Sequence, residues 1–313
     1  MIKTKSTFIA FLFIIYNQLI FAQVPDLILT NGKIFTSDTN NLYAEALAIK
    51  GERILAVGTT VAIDKLANAK TKRIDLQGKT VIPGINDAHD HIGYSSSVGR
   101  FIQFTEPMLP GPTIEQVLDS ISKIVKQVPK GTLIQGNIGL RIIEDSGARR
   151  AVLDKVSPDH PVLLNAPWGH GTLVNTLAMQ KLGISVTAKD PVGGYYERIK
   201  DSKEISGLLR EYAEFSVKRQ WYATVANKTL IDAFKSYSDT ALRFGITSVQ
   251  NMATALELDK SVAVLKAANI PLRVRVIRFP GSSATGRETA KWSTPYPSSS
   301  TLKISGIKWI LDA

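Results

Sequence analysis

Two kinds of hydrophobic pattern divide the chain near residue 84. From residue 26 to residue 82, apolar residues come in short runs separated by three turn sequences: Asn31-Gly32, Lys50-Gly51-Glu52 and Gln77-Gly78-Lys79. Short apolar runs joined by glycine-containing turns are typical of β-hairpins. We therefore predict three hairpins, with a short helix at 61–66, that form a small β-sandwich over residues 23–83.

Beyond Gly84 the apolar residues recur at helical spacing. In residues 113–128 they stand at 114, 117, 118, 121, 124 and 125, and Thr113 with Gln116 matches a capping box. Further helices are predicted at 172–182, 204–218, 230–244 and 256–268. Strands are predicted at 133–134, 162–164, 246–252, 272–277 and 304–311. Strands that alternate with helices predict an α/β fold with a parallel sheet.

Two of the four histidines lie two residues apart, directly after an apolar run. In a strand, alternate side chains share a face, so Asp87, His89 and His91 would line one side while Ala88 and Asp90 face the other. Two neutral imidazoles on one face can hold a divalent metal such as zinc, provided that other strands supply the remaining ligands. The alternative is a chance pair on a solvated strand end.

The flanking sequence favours the metal. Pro83-Gly84 precedes the pair and small polar residues follow it at 93–97, as expected where a ligand-bearing strand opens into an active-site loop. A histidine pair at a strand end favours a (β/α)8 barrel over an open doubly wound sheet. We count roughly six barrel strands over residues 84–313, including an insertion, where closure needs eight. The predicted barrel is therefore incomplete.

The string from Pro83 to His91 resembles the first barrel strand of the amidohydrolase superfamily, which has a proline-glycine pair and then D.H.H. Segments 154–170, 207–211 and 306–312 resemble, in the same order, the YtcJ-like branch, amidohydrolase family 3. The resemblance implies that His89 and His91 bind a divalent metal, zinc before other ions, as one or two ions. It also implies hydrolysis of a carbon–nitrogen bond, of the non-peptide amide type, in a small-molecule substrate, through a metal-activated water.

The resemblance suggests roles for three further residues. His170, between two glycines after a predicted barrel strand, would line the substrate pocket or support a metal ligand; a capped loop histidine is the alternative. Glu211 would contact metal or substrate, or else lie on a solvated helix face. Lys308, among apolar neighbours, would be buried, and a buried ammonium needs a partner or a modification. It would be either a carbamylated lysine that bridges two metals or an ion-paired core lysine. His160 is predicted in a surface turn.

Composition and the N-terminal sequence limit the possible ligands, partners and cellular location of the protein. The chain has 313 residues, 44% of them hydrophobic, and lacks cysteine, which excludes disulfides and thiolate metal ligands. Its net charge of +11 comes from scattered Lys and Arg, so no nucleic-acid partner is expected. Residues 1–22 have the layout of a signal peptide, with Lys3 and Lys5 before an apolar run. This predicts a periplasmic or extracellular protein with no stable membrane anchor.

No histidine follows His170. In the family, later barrel strands supply two more histidines and an aspartate that serves as the general base, so we expect these residues beyond residue 313. The chain would then be an N-terminal portion of an exported metal-dependent amidohydrolase. A naturally short binding or interaction module, or a non-functional fragment, is the alternative. The apolar strand at the end favours the first interpretation, because an open barrel would expose a strand edge.

Overall fold

The computed structural model describes residues 23–92, 99–104, 109–166, 170–288 and 295–310. These form two compact units, and the division lies between Pro83 and Gly84, where the hydrophobic pattern changes. The predicted signal peptide lies outside the described residues. Within those ranges, no helix has both the length and the apolar character needed to cross a membrane.

Unit 1 is built from short strands and one short helix. Its elements are β1 (Leu27–Thr30), β2 (Lys33–Phe35), β3 (Tyr43–Ala44), β4 (Ala46–Lys50), β5 (Arg53–Gly58), α1 (Thr60–Asp64), β6 (Lys72–Asp75) and β7 (Thr80–Val81). The strand orders are β5-β4-β1-β6 in one sheet and β3-β2-β7 in the other. Apolar residues from both sheets, among them Ile34 and Leu47, meet in one cluster.

Only one of the three predicted hairpins forms. β4 and β5 are antiparallel, with Lys50 opposite Arg53, but β1 pairs parallel with β6 and β2 pairs parallel with β7. The turns at Asn31 and Gln77, both at positive φ, carry the chain from one sheet to the other instead of folding it back. The other two hairpin predictions are wrong because turn residues specify a bend and not the partner strand.

Unit 2 contains all the remaining described elements. Its strands are β8 (Ile85–Asp90), β9 (Arg100–Ile102), β10 (Ile134–Asn137), β11 (Val162–Asn165), β12 (Thr172–Val174), β13 (Gly194–Arg198), β14 (Ile205–Glu211), β15 (Ile246–Met252), β16 (Arg273–Arg278), β17 (Ser282–Ser283), β18 (Gly286–Arg287) and β19 (Leu302–Ile307). Its helices are α2 (Ile114–Ile124), α3 (Leu140–Glu144), α4 (Arg150–Val156), α5 (Thr176–Lys181), α6 (Tyr212–Thr224), α7 (Asn227–Arg243) and α8 (Leu258–Ala268).

Four parallel strands of unit 2 stand side by side in the order of the chain: β8, β15, β16 and β19. α7 precedes β15 and α8 connects β15 to β16, and both helices pack on the sheet through a cluster that includes Phe234, Val249 and Leu265. Parallel strands that keep chain order, with helices on one face, are the arrangement of successive strands in a (β/α)8 barrel; a doubly wound sheet reverses its order at a switch point.

The other large sheet of unit 2 is mixed, in the order β13-β14-β12-β11-β10-β9. It lies between β8 and β15 in the chain and contains both strands predicted at 133–134 and 162–164. The prediction of roughly six barrel strands is therefore wrong, since four strands form the parallel sheet of the described residues. Hydrophobic runs identify a buried strand but do not tell which sheet receives it.

Local signals were more reliable than strand partners. α2 has the predicted capping box between Thr113 and Gln116, and β15 has the predicted bounds. The helix predicted at 204–218 begins only at Tyr212, because the apolar residues from Ile205 to Leu209 form the buried strand β14. The helix predicted at 172–182 is divided into β12 and α5, with the Asn175 side chain capping α5 at the Ala178 N–H, 3.0 Å away.

Candidate metal centre

The carboxyl ends of the four parallel strands meet at one edge of their sheet. His91 directly follows β8, Thr254 lies two residues past β15, and Lys308 directly follows β19. The Lys308 backbone N–H donates to the carbonyl of Arg278, the last residue of β16, at 2.7 Å. Loops at this edge carry the active sites of barrel enzymes. We call this set of strand ends the carboxyl edge.

Gly84 lets β8 approach its neighbour closely. A Cβ added at Gly84 would lie 2.2 Å from Oγ1 and 2.4 Å from Cγ2 of Thr247 in β15. These atoms belong to a β-branched side chain with few rotamers, so they cannot easily move away. The glycine of the proline-glycine pair is therefore required by packing at the start of the histidine strand.

The predicted strict alternation from Asp87 to His91 is wrong. Asp87 pairs with Val249 and Asp90 with Asn251, so two residues of β8 face one residue of β15 between these pairs. Such a bulge breaks the period of two. The phenol of Tyr237 in α7 has a pKa raised first by burial, then by the hydrogen bond to Asp90 and the charge of Asp90, and last by the charge of Asp87.

His91 is held by its ring and by its backbone. Its Nδ1 lies 3.1 Å from the Met252 carbonyl oxygen and 3.1 Å from Thr254 Oγ1. A carbonyl only accepts, so Nδ1 carries the proton and the lone pair is on Nε2, the form suited to metal binding. Burial and then the neighbouring His89 lower the pKa of His91, and Lys308 lowers it further. The hydrogen bond to the Met252 carbonyl and the charge of Asp90 raise this pKa, but by less. The ring is therefore neutral at pH 7.

His89 is exposed, and its backbone N–H donates to Asp87 Oδ1 at 3.0 Å. Its ring centroid lies 5.4 Å from that of His91, with 50° between the ring planes. Two imidazoles on one tetrahedral zinc, with Zn–N bonds of about 2.1 Å, have centroids roughly 5 Å apart. The centroid distance of the pair is therefore close to that of two imidazoles on one ion. Across the described ranges, no group of three or more His, Cys, Asp or Glu residues could hold a metal.

Lys308 is less buried than predicted. It is half-buried, as are Ile307 and Ile310, and Trp309 is 39% exposed. β19 ends at Ile307, so the lysine lies in the loop after the strand and not within an apolar core. The premise of a buried core lysine is wrong, although its charge is one of the groups that lower the pKa of His91.

His170 and Glu211 lie together in the region of the six-stranded sheet, so the placement of His170 after a barrel strand is wrong. His170 Nδ1 is 2.9 Å from Glu211 Oε1, and the Arg210 guanidinium donates to the His170 carbonyl at 3.0 Å. The Glu211 side chain is 17% exposed, so it does not lie on a solvated helix face.

Glu211 marks an abrupt change from strand to helix. Its φ of 54° and ψ of −127° are strained for a residue with a side chain, at a cost of about 1–3 kcal/mol. Gly194 packs against this turn: a Cβ there would lie 2.4 Å from the Ala213 nitrogen and 2.7 Å from the Tyr212 nitrogen. The tight turn holds the glutamate carboxylate beside His170.

Sequence reasoning missed the buried ion pair of Lys218 and Glu214, and it predicted the wrong burial for His160. Lys218 donates to Glu214 one turn earlier in α6, and burial raises the pKa of the Glu214 carboxyl. Glutamate and lysine four residues apart normally indicate an exposed face, so the spacing alone could not show this pair. His160, predicted in a surface turn, is 4% exposed, with Nδ1 3.3 Å from the Thr132 carbonyl; its apolar neighbours Val162 and Leu163 were the available signal.

Arg219 connects α6 to the carboxyl edge. The buried guanidinium donates to the Thr254 carbonyl at 3.3 Å and to the Phe279 carbonyl, which follow β15 and β16. Thr254 in turn contacts the His91 ring. One helix thus begins beside Glu211 and, two turns later, supports the segment against which His91 packs.

Comparison with known proteins decides the family. Residues 72–313 match the model of a family described as "Amidohydrolase family". The chain belongs to the amidohydrolase family. It is 30% identical over 238 residues to an N-substituted formamide deformylase of Arthrobacter pascens, covering 74% of this chain and 44% of that protein. It is 28% identical over 188 residues to the putative amidohydrolase YtcJ of Bacillus subtilis, covering 58% and 34%, which confirms the predicted branch.

The amidohydrolase fold is also found among solved structures. An uncharacterized metal-dependent hydrolase from Pyrococcus furiosus superposes with a TM-score of 0.58 at 21% identity, covering 90% of this chain and 55% of that chain. This amidohydrolase chain spans less than half the length of the two curated relatives. The comparison supports a mixed α/β fold of this family.

Proposed function

We propose that this chain carries part of the active site of a metal-dependent hydrolase that cleaves carbon–nitrogen bonds of the amide type. The observation that carries the proposal is the pair of His89 and His91 rings, 5.4 Å apart at the carboxyl edge. The His91 tautomer leaves a lone pair on Nε2. Membership of the amidohydrolase family and the fold shared with a metal-dependent hydrolase support the same conclusion.

His89 and His91 would hold a divalent metal, with zinc the first candidate. Bound there, the metal would lower the pKa of a water and polarise the substrate carbonyl. Lys308, if carbamylated, would offer a carboxylate from a second strand end, that of β19. Further ligands and the general base would come from strands beyond β19, which would also close the barrel, and the two sheets of unit 1 would form the β-sandwich portion.

The substrate would be a small amide. N-substituted formamides are the first compounds to test, because the name of the Arthrobacter pascens relative states that class. His170 and Glu211, which lie beside the start of α6, would bind the substrate or support the site. The N-terminal sequence supports export of the protein to the periplasm or the extracellular space. No nucleic-acid partner is proposed.

Metal titration of the purified chain tests the proposal. Loss of an outer partner of a metal ligand typically reduces affinity about 10–100-fold, so His89→Ala and His91→Ala should each weaken zinc or cobalt binding by more than about 100-fold. His160→Asn is the matched control, since it removes an imidazole that contacts the Thr132 carbonyl and has no part in the proposed site, so it should leave metal affinity unchanged. Equal metal affinity in wild type, His89→Ala and His91→Ala would overturn the proposed metal centre.

A catalytically incomplete binding module is the second candidate. A catalytic zinc site uses three protein ligands and an open position, and the described residues offer no group of three His, Cys, Asp or Glu. This candidate predicts metal binding without turnover of any amide, even when the chain is extended with the remainder of its reading frame. Turnover by the extended chain, lost in His91→Ala, would exclude it.

A further inference from the structure

The phenol of Tyr237 reaches the histidine strand from α7. Its hydroxyl donates to Asp90 Oδ2, and the other oxygen of the same carboxylate, Oδ1, accepts the backbone N–H of His91 at 2.6 Å. Asp90 therefore bridges a helix side chain and the backbone of a proposed metal ligand. The ring of Tyr237 packs against the core cluster beneath α7, and this packing fixes the position of the ring that carries the hydroxyl.

The His91 backbone needs such support because its strand is irregular and ends there. The last paired residue of β8 is Asp90, opposite Asn251, and the register shifts between Asp87 and Asp90. His91 itself lies beyond the strand. Regular ladder hydrogen bonds fix a ligand within a strand, whereas here a side-chain carboxylate takes the backbone N–H in their place.

We propose that Tyr237 is a positioning residue for the metal centre, acting through Asp90 to fix the backbone of His91. The inference rests on the proposed function, since it assumes that His91 binds metal. The hydroxyl sets the rotation of the carboxylate, and the carboxylate orients the peptide N–H from which the imidazole projects. Met252 and Thr254 hold the ring from the other side, so the two sets of contacts together determine where Nε2 points.

A purely structural role makes a different prediction. If the hydrogen bond only fastens α7 to β8, its loss reduces the stability of the chain without changing metal affinity or ligand geometry. Tyr237→Phe separates the two, because it keeps the packed ring and removes the donor. Outer partners of metal ligands typically contribute about 10–100-fold to affinity, so the expected loss in Tyr237→Phe is about 10-fold.

The experiment is a cobalt and zinc titration of the full chain, read by calorimetry and by the visible absorption of the cobalt complex. Tyr237→Phe should bind both ions about 10-fold more weakly and shift the cobalt bands. Tyr195→Phe is the matched control: this tyrosine lies in β13 and is 47% exposed, and its variant should match wild type. The thermal midpoint of each metal-free variant is measured in parallel.

A second pair of variants acts on the carboxylate itself. Asp90→Asn keeps an oxygen for the His91 N–H and should retain most of the metal affinity, whereas Asp90→Ala should lose at least as much as Tyr237→Phe. The inference is overturned if Tyr237→Phe and Asp90→Ala both match wild type in affinity and cobalt spectrum while His91→Ala loses binding. Equal binding by wild type and His91→Ala would instead overturn the proposed metal centre.

Discussion

Unit 2 contains two clusters of polar side chains that differ in their burial and in how their charges are paired. At the carboxyl edge, the exposed His89 lies near the end of β8, and the half-buried His91 and Lys308 directly follow β8 and β19. At the start of α6, Glu214 is fully buried with Lys218, while Glu211 is largely buried against the more exposed His170. The first group places two imidazoles next to each other, with a ring-centroid distance of 5.4 Å. The second pairs its charges with one another.

The two clusters are therefore expected to differ in role: one binds metal and the other stabilises the fold. In His91, Nδ1 donates to the Met252 carbonyl, so the ring lone pair is on Nε2, as in a histidine that binds metal. A buried carboxylate beside a buried ammonium has its charge already compensated, which is the arrangement of Glu214. We therefore expect substitutions at α6 to change mainly stability, and substitutions at the carboxyl edge to change mainly metal affinity.

Breaking the buried ion pair should have the largest effect on stability. Lys218→Met leaves the Glu214 carboxylate without its partner in an apolar environment and should lower the free energy of unfolding by about 3–5 kcal/mol. Lys308→Met, at the half-buried edge, should change it by less than about 1 kcal/mol. Urea unfolding of both metal-free variants measures the contrast. The double variant Glu214→Leu/Lys218→Met should recover most of the loss, and equal effects at Lys218 and Lys308 would contradict the comparison.

Filling the space at Gly84 should have the next largest effect. A methyl group there meets the Thr247 side chain at 2.2 Å, so Gly84→Ala should destabilise the chain by about 1–3 kcal/mol. Trimming the neighbour in Gly84→Ala/Thr247→Ala should restore part of the stability, and thermal unfolding measures both. A single variant as stable as wild type would show that β8 does not require this close approach to β15.

Relieving the turn at Glu211 should have a smaller effect. Glu211→Gly and Glu211→Ala both remove the contact with His170, but only glycine adopts a φ of 54° with a ψ of −127° without strain. Glycine should therefore be more stable than alanine by about 1 kcal/mol. Denaturant midpoints compare the two variants. Equal midpoints would mean that the backbone at Glu211 is not strained.

The smallest expected effect is a dependence of stability on pH. Because the pKa of folded His91 lies below its ordinary value of 6.5, the unfolded chain binds more protons in that interval. The contribution of His91 is thus fully present above about pH 6.5 and is lost as the pH falls through the folded pKa. Thermal midpoints of the metal-free chain between about pH 7 and pH 5 should fall more steeply than those of His91→Asn. Parallel curves would contradict the shifted pKa.

The sequence predicted local features well and long-range placement poorly. The capping box of α2, the bounds of β15 and the closeness of the His89 and His91 rings follow from spacing over a few residues. Which sheet contains β10 and β11 does not, because a buried strand has the same hydrophobic pattern in either sheet. The placement of His170 failed for that reason.

Other contacts depended on the folded chain itself. The bulge in β8 arises from pairing with β15, about 160 residues away, so the face of Asp87 could not be read from alternation alone. The bridge from Tyr237 through Asp90 to His91 joins residues 147 positions apart. The buried state of Glu214 required knowing that the start of α6 packs inward against the six-stranded sheet.

The central claim is that the carboxyl edge, and not the start of α6, holds the metal. Anomalous diffraction at the zinc absorption edge, from crystals of the full chain soaked in zinc, tests it most directly. The account predicts a peak within bonding distance of one ring nitrogen of His89 and of His91 Nε2, on the side of Lys308. A peak between His170 and Glu211, with none at the histidine pair, would contradict it.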